Sequence, residues 1–370
     1  MLPRMFLPGN WRLVSRQLSK NYPGVFRTLE RYDLMLSYWL VGVCFILTFV
    51  TTYRTLPRWI KVAKKFQFVG KDLNKNGIPE VAEMGGVVVI AGFLLGVFYY
   101  VGLTTFYFKQ DSYLIFVLSI LLTITITTLI GILDDILGWK KGIKQRYKFL
   151  LSIPAALPLM AVNVSNSTAN IPFLGMVECG ILYPLLIVPI GIIGASNGFN
   201  LLAGYNGLEA GLGIIILSTL GFIAIFQHQI WIAIIAFTMV CSLLAFLRYN
   251  WYLARIFPGD SLTYSVGALI GCVALLGNME RIALILFIPF FLDFIFLLCK
   301  GFGAEAFARV NDDGSLALPY NTIRDTTHLA IFVLKKIKKK VYEKDIVLAI
   351  LGFESLLAIL GIVWEYLIRR

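Results

Sequence analysis

Apolar residues come in long blocks along this chain. Ten runs, near 34–53, 85–107, 113–133, 149–163, 179–198, 209–226, 230–247, 261–277, 282–299 and 346–367, are apolar all round and lack the two-residue alternation of a membrane-spanning strand. A bilayer core is crossed by a helix of about 20 such residues. The pattern therefore predicts an all-α polytopic membrane protein of about ten transmembrane helices, the fourth short and interrupted by proline. A basic, aromatic tail (1–33) precedes the first run and no small-residue cleavage site follows it, so that run reads as a retained span, not a signal peptide. The remainder, 34–370, reads as a single membrane domain without internal repeats.

The polar positions are sorted. Ten spans divide the loops into two sets. One set comprises 54–83, 134–148, 197–208, 248–260 and 300–345; it holds all the loop Lys and Arg except Lys109 and Arg281. Excess Lys and Arg mark cytoplasmic loops, which places this set in the cytoplasm. The same rule is opposed by the tail, with its six Lys and Arg, and more weakly by Arg369 and Arg370. Five loops outweigh two ends, and a tail lying along the membrane surface would accommodate its charge. The cytoplasmic set also collects the unusual acids and amides, in "VGKDLNKNGIPEVAEMGG", "DDILGWKKGIKQRYK", "NGFNLLAGYNGLEAG" and "FPGDS". That sorting suits a site built at one membrane face.

Composition narrows the class. Hydrophobic residues make up 58% of the 370, with a mean hydropathy of +0.80, well above a soluble domain; length alone would otherwise suggest two or three soluble domains. The net charge of +12 sits between apolar runs, which excludes a nucleic-acid-binding surface. Five Cys without paired spacing and two His (His228 in an outer turn, His328 in the last large loop) exclude a disulfide framework and a His-based metal cluster.

Asp134 and Asp135 pose the sharpest local problem. They close a membrane-length helix, where the helix dipole disfavours anions, and adjacent carboxylates repel. A divalent ion, or the returning cations Arg146 and Lys148, would make them tolerable. Asp260 is either an N-cap or a Mg²⁺ ligand, since Mg²⁺ takes one or two carboxylates and leaves its other positions to phosphate and water. Asn197 and Asn200 share a helix face and offer a neutral oxygen ligand beside a second polar contact. Asn206 and Glu209 read as a capping-box variant or as a base or phosphate contact at a helix start. Asp72, Asn74, Asn76 and Glu80 lack the full calcium-loop pattern and read as a turn followed by a helix start. The run "KKIKKKVYEK" reads as an anchor to anionic membrane lipid.

Taken together, "KDLNK…IPE", "ILDD", "NGFNLLAGYNGLEAG" and "FPGDS" resemble the polyprenyl-phosphate N-acetylhexosamine-1-phosphate transferases over about residues 54–320. "LLAGYNGLEAG" is most similar to the dolichyl-phosphate N-acetylglucosamine-phosphotransferase branch, which begins N-linked glycan assembly. The resemblance implies ten helices, a cytoplasmic active site, and transfer of N-acetylglucosamine-1-phosphate from UDP-N-acetylglucosamine to a polyprenyl or dolichyl phosphate with release of UMP. It implies Mg²⁺, with Mn²⁺ as an alternative, on Asn200 and Asp260, and phosphate contact by Lys148. It implies uracil between Leu73 and Phe257 with Asn206 at its edge, and Glu80 supporting the nucleotide pocket. Asp134 and Asp135 match an acidic pair that serves as base or as organiser of Lys148 and the lipid phosphate. In the last cytoplasmic loop the family's "HRIPR" is replaced by "EAFARVNDDG", where only Arg309 matches. This bears on which N-acetylhexosamine is taken, and suggests an archaeal cell membrane in place of the endoplasmic reticulum. Asn163 and Asn166 are glycan-acceptor sequons on the outer side. The rival readings are a lipid or solute transporter, whose polar groups belong near the midplane of broken helices, and a non-catalytic lipid-binding scaffold. The oligomeric state, a homodimer or otherwise, is left open.

Overall fold

The computed structural model describes residues 23–138, 142–143, 145–162, 168–171, 175–300, 307–320 and 322–368, with side chains from residue 39 onward. Residues 1–22 of the tail, the sequons Asn163 and Asn166, and the side chain of Arg146 lie outside the described residues.

Each of the ten apolar runs is helical. The helices are α1 (Pro23–Lys65), α2 (Gly85–Gly102), α3 (Leu114–Leu137), α4 (Gln145–Val162), α5 (Val188–Leu201), α6 (Leu208–Phe226), α7 (Ile230–Asn250), α8 (Asp260–Leu276), α9 (Glu280–Leu286), α10 (Ile288–Lys300), α11 (Thr326–Lys335) and α12 (Glu343–Ile368). Wider π-type turns extend α2 to Tyr107 and begin α5 at Tyr183. Among the described residues seven helices are long and apolar enough to cross a membrane, or eight if α9 and α10, bent by 60° at Phe287, form one span. The expected runs at 149–163 and 261–277 form shorter helices, so the fold is that of an all-α integral membrane protein whose count of ten full spans is not reached by length. Among the described residues three two-stranded hairpins join helices: β1 (Val69–Lys71) with β2 (Glu80–Ala82), β3 (Thr168–Ile171) with β4 (Gly175–Glu178), and β5 (Arg309–Val310) with β6 (Leu316–Ala317).

The short helix α8 is the axis of the bundle. Ser261 to Leu275 are all buried, among α3, α5, α2, α6 and α7. Between helices in lipid, close packing and polar side-chain contacts supply the adhesion, and both occur here. A Cβ on Gly131 of α3 would stand 2.4 Å from Ser261 N, and one on Gly86 of α2 would stand 2.3 Å from Leu262 N. Thr128 and Ser265 hydroxyls meet at 2.8 Å across α3 and α8. This packing presses the start of α8 against the end of α3. The first turns of α6 and α12 lie at the same end of the bundle. The far end is tied separately: Arg281 pairs with Glu365 at 2.6 Å, Gln227 donates to Glu365, and the Tyr183 hydroxyl donates to Glu280 at 2.5 Å.

Candidate active site

Where α3 ends and α8 begins, the two adjacent acids take different partners. Asp135 accepts from the backbone N–H of Asp260 at 2.6 Å and of Ser261 at 3.1 Å. It is therefore the N-cap of α8, delivered from another helix; the residue at the cap position itself, Gly259, has no side chain to serve. The expectation that Asp260 caps its own helix is not met. Asp134 instead accepts from Ile143 N at 2.5 Å and from Lys148 Nζ at 2.6 Å. Lys148, buried in the first turn of α4, donates its second bond to Asp260 Oδ2 at 2.5 Å. Glycines make room for both acids. A Cβ on Gly142 would stand 2.5 Å from Asp134 Oδ1, and one on Gly259 would stand 2.5 Å from Asp135 Oδ2.

Asp260 opens onto a cavity of about 180 Å³ whose lining includes Leu73, Glu83, Asn200, Asn206 and Phe257. Asn200 and Asp260 are linked by Thr263, whose hydroxyl donates to Asn200 Oδ1 at 2.7 Å and approaches Asp260 O at 3.3 Å. Glu83 precedes α2, and no spacing in the sequence singles it out. Burial, reinforced by the charges of Asp260 and Asp134, pushes its carboxyl up to about 7. The carboxyls of Asp134, Asp135, Asp260 and Glu83 thus crowd around the ammonium of Lys148, while Lys71 lines the same cavity. Among the described residues no three His, Cys, Asp or Glu side chains form a metal cage. One carboxylate and one carboxamide oxygen at the cavity wall, beside further carboxyls, fit a Mg²⁺ ion that takes its other oxygens from phosphate and water.

The glycine-rich turn between α5 and α6 differs from both of its expected forms. Helix α6 begins after Gly207, at φ 87°, with no side-chain cap. Glu209 reaches back to Gly204 N (2.7 Å), not to Asn206 N. Asn206 N donates to Glu343 Oε1 at 2.9 Å, and Gly207 N to Asn250 Oδ1 at 3.1 Å. These three amides already serve carboxyl and carboxamide oxygens, so they do not cradle a phosphate. What the turn offers is the Asn206 side chain. The "KDLNK" turn braces it: Asn74 donates to Gly204 O at 3.3 Å and accepts from Ala308 N at 3.2 Å.

Leu73, Asn200, Asn206, Phe257 and Asp260 therefore share one cavity, and Asp134, Asp135 and Lys148 stand directly behind Asp260. Three expected residues lie apart from that lining. Asn197 is one helical turn back in α5, bonded to Ile193 O, Ser152 and Tyr264. Glu80 is exposed on β2 opposite Lys71. Arg309 is exposed on β5, while Phe307 nearby reaches the cavity wall. His228 is exposed and His328 is fully buried behind the Asp325 cap of α11. Glu343 and Asn250 were also missed. Their partners lie 137 and 43 residues away, so no local spacing could reveal them.

The sequence pattern of glycosyl transferase family 4 matches residues 117–278. A protein of Saccharolobus solfataricus, provisionally named a UDP-N-acetylglucosamine–dolichyl-phosphate N-acetylglucosaminephosphotransferase, is 35% identical over 86% of this chain and 95% of its own length. A Sulfolobus acidocaldarius protein with the same provisional name is 34% identical over 88% and 95%. A Dictyostelium discoideum protein bearing that name without qualification is 27% identical over 68% and 70%. Since the archetypal motifs converge on one cavity and the likeness runs nearly end to end, this chain belongs to glycosyl transferase family 4, the polyprenyl-phosphate N-acetylhexosamine-1-phosphate transferases.

Proposed function

We propose that the protein transfers N-acetylglucosamine-1-phosphate from UDP-N-acetylglucosamine to a dolichyl-type polyprenyl phosphate, releasing UMP. The names carried by its relatives support the substrates. The observation that carries the reading is Lys148, held between Asp134 and Asp260 directly behind a cavity that Asp260 lines together with Asn200 and Asn206.

In this reading a phosphate oxygen of the lipid attacks the β-phosphorus of the sugar nucleotide. A new P–O bond forms, the bond from that phosphorus to the UMP oxygen breaks, and UMP departs with the electron pair. Phosphoryl transfer of this kind depends on positioning and charge neutralisation. The lipid phosphate is already anionic near neutral pH, with a second pKa of about 6, so no strong base is required. Asp134 holds the Lys148 ammonium, which neutralises oxygens of the meeting phosphates. Asp135 fixes the start of α8 and hence the direction of Asp260. Asn200 and Asp260 would hold Mg²⁺, or Mn²⁺ in its place, which when bound supplies charge to the diphosphate. Leu73 and Phe257 flank the uracil and Asn206 meets its polar edge. The surplus Lys and Arg of the loops at this end support a cytoplasmic face, where the nucleotide arrives from water and the prenyl chain stays in lipid.

The test is turnover of the purified protein with UDP-N-acetylglucosamine and polyprenyl phosphate, with and without Mg²⁺. Asp260→Ala is expected to lower UMP release by about a hundred- to a thousandfold, of the order found when a charge-stabilising group is removed, while the protein still melts cooperatively. Full activity in that variant overturns the role of Asp260.

A further inference from the structure

Asn206 is held more tightly than a surface amide needs to be. It is 4% exposed. Its backbone N–H is taken by Glu343, and its Nδ2 donates to Asp72 Oδ2 at 3.1 Å. Asp72, 5% exposed, is ion-paired with Lys75 at 3.3 Å, and Lys75 pairs in turn with Glu343. Backbone and side chain of Asn206 are thus fixed by one buried network reaching from the "KDLNK" turn to the start of α12.

A carboxamide has two ends of nearly equal shape, one a donor and one an acceptor. A carboxylate only accepts. The end of Asn206 that faces Asp72 must therefore be the NH₂, which leaves the carbonyl oxygen as the end offered to the cavity. Uracil carries a donor at N3–H, and cytosine carries an acceptor at N3. A fixed carbonyl pairs with the first and repels the second; a carboxamide free to turn over would serve both.

We propose that Asp72 sets the nucleobase preference of the cavity by fixing which end of the Asn206 carboxamide meets the base. Asp72 is then a positioning residue for specificity, acting through Asn206, with Lys75 and Glu343 holding the pair in place. This rests on the uridine-nucleotide reading above and adds to it the source of discrimination against cytidine nucleotides.

The test is calorimetric titration of the purified full chain with UMP and with CMP. The wild type is expected to bind UMP at least about 30-fold more tightly, or about 2 kcal/mol at 1.4 kcal/mol per decade. Asp72→Asn can donate as well as accept, so both orientations of Asn206 become available and the ratio is expected to fall below about fivefold. In an Asn206→Ala background the ratio is already low and Asp72→Asn changes it no further. An Asp72→Asn protein that keeps the wild-type ratio overturns the proposal. So does one whose ratio changes equally with Ala at position 206, because Asp72 would then act on the base directly. If Asp72→Asn does not fold, Asp72→Ala, which also frees the Asn206 carboxamide to turn over, takes its place: a ratio below about fivefold supports the proposal and a retained one overturns it. A wild type that turns over UDP-N-acetylglucosamine without preferring UMP to CMP overturns this inference alone. A wild type with neither turnover nor UMP binding removes the transferase reading as well.

Discussion

Two neighbouring carboxylates at a helix C-terminus oppose the helix dipole, and their cost is offset residue by residue. Asp135 stands at the positive end of α8, where two unsatisfied amides need an acceptor. Asp134 faces Lys148. The pair is thus one structural and one electrostatic group, and substitutions should separate them. Asp135→Ala is expected to cost about 1–2 kcal/mol of stability, as loss of a cap does, and to lower turnover as Asp260 loses its direction. Asp135→Asn, which still accepts one bond, should recover much of the stability. Thermal melting in detergent reads the first effect and UMP release the second; equal melting of all three proteins would refute the capping role. Glu83 yields a pH dependence. Folded, it keeps its proton to about pH 7, whereas the ordinary value is 4.5. Its contribution to stability is full below the ordinary value and is lost as pH rises through 7. Glu83→Gln cannot ionise, so between pH 5 and 8 the wild type should lose on the order of 2 kcal/mol relative to the variant. Parallel stability curves would show that Glu83 is not held up by its neighbours.

At the scale of elements, the site depends on how closely α2 and α3 approach α8. Gly131 touches the backbone of Asp260 and Ser261, and a Cβ there meets atoms that have no rotamer to yield. Gly131→Ala should therefore move the start of α8, cost about 1–3 kcal/mol by overpacking, and reduce turnover more than Gly102→Ala, whose added Cβ meets nothing within 4 Å. Comparable activity in both variants would detach the site from this crossing. The elements themselves were largely legible in the sequence, because a run apolar on all sides of about 20 residues has few other fates than a helix. What was not legible has more than one cause. The bend at Phe287 falls in the uncharged stretch 282–292 of its run, and polarity does not report direction. Helix α11 is hidden in a basic loop and starts on Asp325, whose carboxylate accepts His328 N at 2.6 Å. The remote cap on α8 joins residues 125 apart, and the capping box expected at Asn206 was displaced by Glu343 and Asn250. Local spacing foretells local bonds, while these sites are closed by partners from other helices.

The whole molecule is organised by its two polar ends. Helices α6 and α12 run side by side in the same direction: Asn206 and Glu343 meet at one end, Gln227 and Glu365 at the other. The cavity sits at the first end with the basic loops, and the Arg281–Glu365 pair sits at the second. A transporter would set its polar groups near the midplane of broken helices; here the candidate residues gather at one end, as a reaction between a water-borne nucleotide and a membrane-borne phosphate requires. This layout is open to direct test by single cysteines in a background lacking the five native ones. Ile337, 77% exposed beyond α11, and Ile78, 50% exposed in the first hairpin, belong to the cavity end, whereas Met176, 75% exposed on β4, belongs to the other. In sealed cells a membrane-impermeant thiol reagent is expected to label Met176→Cys at once, and Ile337→Cys and Ile78→Cys only after permeabilisation. Labelling of all three from outside would place the cavity in contact with the exterior and remove the cytosolic supply of nucleotide. Labelling of Ile78→Cys and Ile337→Cys from opposite sides would be incompatible with the ion pair between Lys75 and Glu343, and with it the shared cavity itself.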